Sequence, residues 1–160
     1  MQKFNSSNIQ EQFPQDSSIC YLNHAAVSPW PLCTQQAVTQ FAQQNVHQGA
    51  TDYLQWMKVE LELRQRLAAL IHTKDITEIA LAKSTSEALS IIAYGIAWQA
   101  GDEIIISDQE FPSNRIIWES LSNQGVKVIE VPIGEKSSIE TFKNAITPNT
   151  RLLSISSVQY

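Results

Sequence analysis

The sequence predicts an α/β fold, with an N-terminal arm and helices followed by the first part of a mostly parallel sheet. Two observations support this prediction. Residues 31–75 carry apolar side chains at helical spacing, and from residue 76 short apolar runs alternate with helix-like segments. Strands that alternate with helices form parallel sheets covered by helices, and the carboxyl ends of such strands meet at one edge. Ligands of open α/β sheets bind at that edge.

The composition is typical of a globular protein with an acidic balance. Of 160 residues, 43% are hydrophobic and 17% charged, and the net charge of -5 disfavours nucleic acid and membrane partners. No apolar run approaches the ~20 residues that span a bilayer, and the first residues lack the apolar segment of a secretory signal. We therefore expect a cytoplasmic protein. Cys20 and Cys33 match no zinc pattern, so we expect structural thiols and no metal site.

Residues 1–30 are predicted to form the arm. Ser6 or Ser7 can cap a short helix that ends before Pro14. The stretch YLNHAAVSPWP at 21–31 follows, and its prolines and small residues favour an extended path. Such a stretch either packs as a tight turn or lets a ligand approach the backbone.

Two helices are predicted next. The first begins at Pro31 and ends at Gly49, because proline suits a helix start and glycine a helix end. Thr51 or Asp52 can cap the second, which runs to about His72 with a long apolar stripe. We expect this stripe to pack in the core.

The second half alternates between strands and helices. The predicted strands are EIALA (78–82), EIIIS (103–107), VKVIEV (126–131) and RLLSIS (151–156). Helices are predicted at 85–98, from Pro112 to Gly125, and after a capping box formed by Ser137 and Glu140.

Two loops at the carboxyl edge contain candidate binding residues. Residues 83–88 bring hydroxyls and backbone N–H groups to a helix N-terminus, where anions bind, although the same residues can simply cap the helix. The loop lacks the glycines of nucleotide-binding motifs. In the second loop, Phe111 follows a strand and either closes the core or stacks on a flat ring.

Four segments in this order resemble the class V aminotransferases: YLNHAAVSPWP, STSEAL, GDEIIISDQEFPSNRIIW and RLLSISSVQY. This family of pyridoxal 5'-phosphate (PLP) enzymes has fold type I and includes cysteine desulfurases, selenocysteine lyases and isopenicillin-epimerase-like proteins. The resemblance implies that residues 31–160 are an incomplete PLP-binding large domain, with a helical lead-in at 31–75 and strand–helix alternation at 76–160. Residues 1–30 are then the arm and the substrate-side segment.

The resemblance also assigns cofactor-binding roles. Thr85 and Ser86 match the positions that hold the cofactor phosphate. Phe111 matches the residue that stacks on the pyridine ring, where similar cysteine desulfurases usually carry His. Gln159 or Tyr160 falls where family members often place an Asn that bonds the ring hydroxyl of the cofactor.

An amino-acid substrate and a homodimer are implied as well. His24, Ala25 and Ala26 match the small-residue stretch that lines the substrate pocket. The lysine that forms the Schiff base, and the Asp that pairs with the pyridine nitrogen, are expected beyond residue 160. We therefore expect a PLP-dependent transferase or lyase as the full-length protein, and no catalysis by the 160-residue chain.

Three interpretations remain open. The first is a class V aminotransferase-like enzyme that acts on an amino acid through a Schiff base. The second is a cysteine desulfurase or selenocysteine lyase of the same fold. The third is a non-catalytic truncated fragment that lacks the Schiff-base lysine.

Overall fold

The computed structural model describes residues 6–24, 27–134 and 139–158. It divides into two units, Met1–Ile79 and Ala80–Tyr160, which are described separately. Within the described residues, no helix is long and apolar enough to cross a membrane.

The first unit contains three α-helices, α1 (Ser6–Gln12), α2 (Leu32–Gln48) and α3 (Tyr53–Leu70). Pro31 and Gly49 flank α2 as predicted, and Gly49 has a φ of 57° that suits glycine. The predicted side-chain cap of α3 is wrong. Asp52 stands at the N-cap position, but its carboxylate accepts from Gln44 Nε2 at 2.7 Å, while Thr51 Oγ1 donates to the Gln48 carbonyl at 2.6 Å.

The apolar stripe of α3 is not buried as predicted. Ala68 is the buried residue of this helix, whereas Tyr53, Met57 and Leu61 are exposed. The neighbouring α2 has no buried residue either, and its apolar side chains Val38, Phe41 and Val46 are themselves exposed, so the two helices do not form a closed core. Phe41 and Trp56 do meet, with ring centroids 5.1 Å apart.

The second unit is built on three parallel strands, β1 (Glu103–Ser107), β2 (Lys127–Val131) and β3 (Thr150–Ser154), in the order β2-β1-β3. These strands correspond to three of the four predicted ones. Ile105 of β1 pairs with Ile129 on one side and with Leu153 on the other. All five residues of β1 are buried, as expected for the central strand of a covered parallel sheet.

Helices cover this sheet. Helix α4 (Thr85–Gly95) precedes β1, α5 (Ile116–Glu119) follows it between two 3-10 helices, and α6 (Ile139–Ala145) precedes β3. The core lies between β1, α4 and the segment around α5. Its buried members are Ala93, Ile104, Ile106, Trp118, Leu121 and Val126.

The predicted strand at 78–82 is wrong. The chain forms a 3-10 helix at Ile76–Glu78 and then runs without regular secondary structure to a bend at 83–84, with residues 80–86 exposed. A strand needs a neighbour to exchange backbone hydrogen bonds, and no strand pairs with this segment in the described part of the chain. Its composition therefore favours a strand that the described sheet does not contain.

The predicted helix from Pro112 to Gly125 is regular only in part. Residues 112–114 and 120–124 form 3-10 turns around the four-residue α5. Ser120 Oγ donates to the Ile117 carbonyl at 2.6 Å, a side-chain bond that competes with helix continuation. The predicted Ser137 cap of α6 lies outside the described residues.

Candidate functional site

The first candidate loop ends in a capped helix N-terminus. Ser84 is the N-cap of α4, and its Oγ accepts from the Glu87 N–H at 3.2 Å. Glu87 Oε2 in turn accepts from the Lys83 N–H at 2.8 Å. The cap predicted as one alternative is therefore present.

This cap leaves the anion-binding alternative open. It occupies the N–H groups of Lys83 and Glu87, whereas those of Thr85 and Ser86 have no acceptor among the described residues. Two N–H groups and two hydroxyls thus remain at the positive end of an 11-residue helix. Such an end can bind a phosphate.

The second candidate loop presents an exposed aromatic ring. Phe111 stands before the 3-10 helix Pro112–Asn114, and its side chain is 51% exposed. The interpretation that Phe111 closes the core is therefore wrong. Stacking on a ligand stays a prediction.

Ser86 and Phe111 line one cavity. Its volume is about 420 Å³, and it lies between α4 and the segment around α5. The remaining lining residues are Ser90, Tyr94, Pro112, Ser113, Ile116, Ile117 and Ser120. The fold thus brings Ser86, predicted to bind the phosphate, and Phe111, predicted to stack on the ring, to the same cavity. Thr85 directly precedes Ser86 on α4.

Sequence reasoning missed a buried carboxylate at the base of the second loop. Glu110 is 7% exposed and accepts hydrogen bonds from Asn114 Nδ2 at 2.8 Å and from the Ser156 N–H at 2.8 Å. A signal was available: an acid and an amide four residues apart, Glu110 and Asn114, stand in the loop after a fully buried strand. Polar groups in such a place are buried only when they are hydrogen-bonded.

The loop is also tied to the end of β2. Asp108 Oδ1 accepts from the Ile133 N–H at 2.9 Å, and Gln109 Nε2 donates to the Ile133 carbonyl at 2.7 Å. Together with the bond from Ser156 to Glu110, these contacts link the loop after β1 to the segments after β2 and β3.

The predicted substrate residue His24 belongs to the first unit. Its ring meets Tyr21 edge-on at 5.3 Å between centroids, and its carbonyl accepts from Ser28 Oγ at 3.3 Å. The other predicted site residues, Ala25, Ala26, Gln159 and Tyr160, lie outside the described residues.

Charged groups near the loop are paired. Arg115 donates to Glu119 and to Glu130, each at 2.7 Å, and the hydrogen bond with Glu119 and the charge of Glu130 raise the pKa of Arg115. The residues described here contain no cluster of His, Cys, Asp and Glu that could hold a metal ion. Cys20 and Cys33 are free and exposed.

Comparison with known proteins identifies the family. The profile of Aminotransferase class-V matches residues 20–159. The chain belongs to this family. It is 30% identical to cysteine desulfurase CsdA of Escherichia coli, across 97% of the chain and 41% of CsdA. It is 28% identical to a probable cysteine desulfurase of Methanothermobacter thermautotrophicus, across 96% of the chain and 40% of that protein.

Solved structures share the fold. A mutant of C-DES with glycine covalently linked to the PLP cofactor aligns with a TM-score of 0.84 at 23% identity, over 94% of the chain and 41% of C-DES. The S-sulfonic acid form of E. coli CsdA aligns with a TM-score of 0.78 at 28% identity, over 95% of the chain and 41% of CsdA. The chain therefore has fold type I and spans about two fifths of the length of these proteins. The comparisons also indicate PLP as the cofactor of the family.

Proposed function

We propose that this chain is the N-terminal part of a PLP-dependent cysteine desulfurase. The observation that carries the proposal is the similarity to cysteine desulfurases along almost the whole chain, with CsdA at 30% identity across 97% of it. Other similar proteins are a cysteine desulfurase of Pectobacterium carotovorum and probable cysteine desulfurases of Methanothermobacter thermautotrophicus and Vibrio cholerae. Of the three interpretations of the sequence, this one is therefore favoured over a general aminotransferase-like enzyme.

Two features of the chain support PLP as its cofactor. The N–H groups and hydroxyls of Thr85 and Ser86 match a phosphate in charge and in hydrogen-bonding capacity. The half-exposed ring of Phe111, which shares a cavity with Ser86, suits the face of a pyridine ring. In this proposal Thr85 and Ser86 bind the phosphate, and Phe111 orients the ring and excludes water from one face.

PLP, when bound, draws electrons away from the α-carbon of an amino acid, which assists the breaking of nearby bonds. Phe111 differs here from the His that similar desulfurases usually carry. Its ring can stack but cannot donate or accept a proton, so we assign proton transfer to another group. The lysine that forms the Schiff base is expected beyond residue 160.

The proposal includes a place for the substrate. We propose that His24, Ala25 and Ala26 bound the amino-acid substrate, and that the whole protein is a homodimer in the cytoplasm. The acidic net charge of -5 supports a small-molecule substrate rather than nucleic acid.

A sulfur-release assay tests this function. The product of the complete reading frame that contains this chain is incubated with PLP, L-cysteine and dithiothreitol, and sulfide and alanine are measured. We expect equal amounts of both, because the dithiol supplies the two electrons that convert the removed sulfur to sulfide. A Thr85→Ala/Ser86→Ala double variant should need about tenfold more PLP for half-maximal rate, through lost phosphate contacts.

One control variant and two contrary outcomes complete the sulfur-release assay. Ser122→Ala changes an exposed serine far along the chain from α4 and should leave the PLP requirement unchanged. Transfer of the amino group to a keto acid without sulfide would instead support an aminotransferase. Absence of both PLP binding and turnover would support the non-catalytic fragment.

A further inference from the structure

We propose that Glu110 is a positioning residue that holds the Phe111 loop against the segment after β3. It thereby fixes the aromatic face of the cavity that Phe111 shares with Ser86. The identity of the ligand, PLP, rests on the proposed function, whereas the geometry of the loop does not.

The contacts of Glu110 are those of a structural anchor. Oε1 accepts from Ser107 Oγ at 3.2 Å and from the Ser156 N–H at 2.8 Å. Oε2 accepts from Asn114 Nδ2 at 2.8 Å and from Ser156 Oγ at 2.6 Å. The carboxylate thus joins the last residue of β1, the 3-10 turn after Phe111 and the segment that follows β3.

This arrangement requires an acceptor on both oxygens. The side-chain amide of Asn114 is oriented by Trp118 Nε1, which donates to Asn114 Oδ1 at 3.0 Å, and by Ser154 Oγ, which donates to the same oxygen at 2.6 Å. Its Nδ2 must therefore donate toward Glu110. The Ser156 N–H can also only donate.

A glutamine at position 110 cannot satisfy both sides. If its amide nitrogen takes the Oε1 place, it faces the Ser156 N–H; if it takes the Oε2 place, it faces Asn114 Nδ2. In either orientation the amide nitrogen of glutamine, a donor, faces another donor at a buried position. One hydrogen bond is then lost and a polar group is left unsatisfied. The Glu110→Gln variant therefore tests the anchor with almost no change in side-chain volume.

The anchor matters for Phe111 because the two residues are adjacent. Phe111 is half exposed, so the position of its backbone contributes to where its ring lies. The backbone on either side is fixed by Glu110 and by the Asn114 N–H, which donates to the Phe111 carbonyl at 2.8 Å. A backbone held in this way needs no rearrangement when a ligand stacks on the ring.

A double-mutant cycle in PLP affinity tests the proposal. PLP is titrated into the 160-residue chain, and the dissociation constant is measured for the wild type, Glu110→Gln, Phe111→Ala and the double variant. We expect Glu110→Gln to weaken binding about tenfold when Phe111 is present and less than about twofold when it is absent. A residue that only supports folding would weaken binding equally in both backgrounds.

Two further measurements keep the outcome decisive. Glu119→Gln makes the same chemical change at an exposed position and should leave PLP affinity unchanged. Amide hydrogen exchange without PLP should accelerate at least about tenfold in residues 108–115 and 155–158 of Glu110→Gln, and not in Glu119→Gln. If Glu110→Gln does not fold, Ser156→Ala removes one donor to Oε2 and is expected to weaken PLP binding about threefold, again only with Phe111 present.

Failure of this proposal is distinguishable from failure of the proposed function. If the wild-type chain does not bind PLP, Thr85, Ser86 and Phe111 do not hold the cofactor without the lysine expected beyond residue 160. The rates of amide hydrogen exchange in residues 108–115 and 155–158 still decide the role of Glu110. Unchanged exchange in Glu110→Gln, or equal losses of PLP affinity in both backgrounds, would overturn the positioning role.

Discussion

Two adjacent residues of the loop after β1 have opposite environments. Glu110 is buried and hydrogen-bonded, whereas Phe111 leaves half of its side chain exposed. Covering the rest of that ring with a flat ligand would contribute about 1–2 kcal/mol from burial and stacking together. At the scale of single residues, the site therefore consists of a hydrogen-bonded backbone and a half-exposed ring.

The identity of residue 111 should decide how the reaction depends on pH. In the complete protein, Phe111→His keeps an aromatic ring and adds a group whose ordinary pKa is about 6.5. We expect PLP affinity within about threefold of the wild type, and a rate of sulfide release that changes between about pH 5.5 and 7.5. The measurement is the pH profile of sulfide release.

Phe111→Leu is the matched control for this change. Leucine is apolar but cannot stack, so PLP affinity should fall about threefold to tenfold and the pH profile should keep the wild-type shape. A profile with the same shape for Phe111→His and Phe111→Leu would show that residue 111 does not meet the reacting groups.

At the scale of elements, two glycine turns set the ends of the sheet. The Gly101 N–H donates to the Gly125 carbonyl at 2.9 Å, and the Lys127 N–H donates to the Asp102 carbonyl at 2.9 Å. The turns before β1 and β2 therefore contact each other, which aligns Glu103 with Lys127 at the start of the pairing. Both glycines have positive φ, 97° at Gly101 and 80° at Gly125.

These turns differ in the space around them, which gives a stability prediction. A Cβ added at Gly125 would lie 2.9 Å from Ala100 Cβ, whereas nothing lies within 4 Å of one added at Gly101. Gly101→Ala should lower the free energy of unfolding by about 1–2 kcal/mol through backbone strain. Gly125→Ala should cost about 1–3 kcal/mol more, because Ala100 must move as well.

Urea unfolding of the two variants checks this difference. Gly101→Ala is the control, since it carries the backbone strain without the close contact. Equal losses in the two variants would mean that Ala100 yields without cost. A larger loss in Gly101→Ala would contradict the prediction outright.

The elements also show what could be predicted from the sequence. β1 was predicted with its exact bounds because five consecutive residues suit a buried strand, and Gly49 was predicted as a helix end because its backbone needs a positive φ. Residues 78–82 were predicted as a strand and are not one in this structure, because a strand depends on a neighbour elsewhere in the chain. The local amino-acid composition contains no information about whether such a neighbouring strand is present.

The candidate site was likewise predictable from the sequence only in part. Ser86 was predicted at the same edge as Phe111 because it follows the predicted strand 78–82. The described sheet lacks that strand, yet Ser86 and Phe111 do line one cavity. The Glu110 network was missed because its donors come from residue 107, the turn after Phe111 and the segment after β3. Contacts between residues more than 40 positions apart require the fold to be known.

At the scale of the whole molecule, the two units differ in their cores. Among the described residues, the buried hydrophobic side chains of the first unit are Ala68 and Ile79, while the second unit has a cluster around Trp118 and β1. Stability within a protein follows the local density of buried apolar contacts. We therefore expect the second unit to be the more resistant part of the chain.

Limited proteolysis should detect this difference. Lys83 lies in an exposed stretch without regular secondary structure, four residues after the end of the first unit, and its side chain is 84% exposed. Trypsin should cut there at least about tenfold faster than at Lys127, because a protease needs an accessible extended chain and Lys127 is held in β2. Mass spectrometry of a time course identifies the sites.

Lys83→Gln is the variant that confirms the assignment. It should abolish the fragment that begins at Ser84 and leave cleavage at Lys127 as slow as before. Early cleavage at Lys127 in the wild-type chain would show that the sheet opens as readily as the boundary.

Trp118 gives the loop a built-in optical reporter. Its indole is 1% exposed, and two hydrogen bonds in sequence connect its N–H to Asn114 Oδ1 and Asn114 Nδ2 to Glu110. The other three tryptophans, Trp30, Trp56 and Trp98, are more exposed, so we expect the most blue-shifted emission to come from Trp118. If opening of the Glu110 anchor admits water to Asn114, the surroundings of this indole become more polar, and we expect its emission to shift to longer wavelength. Fluorescence of the unlabelled chain is therefore expected to report the state of the loop.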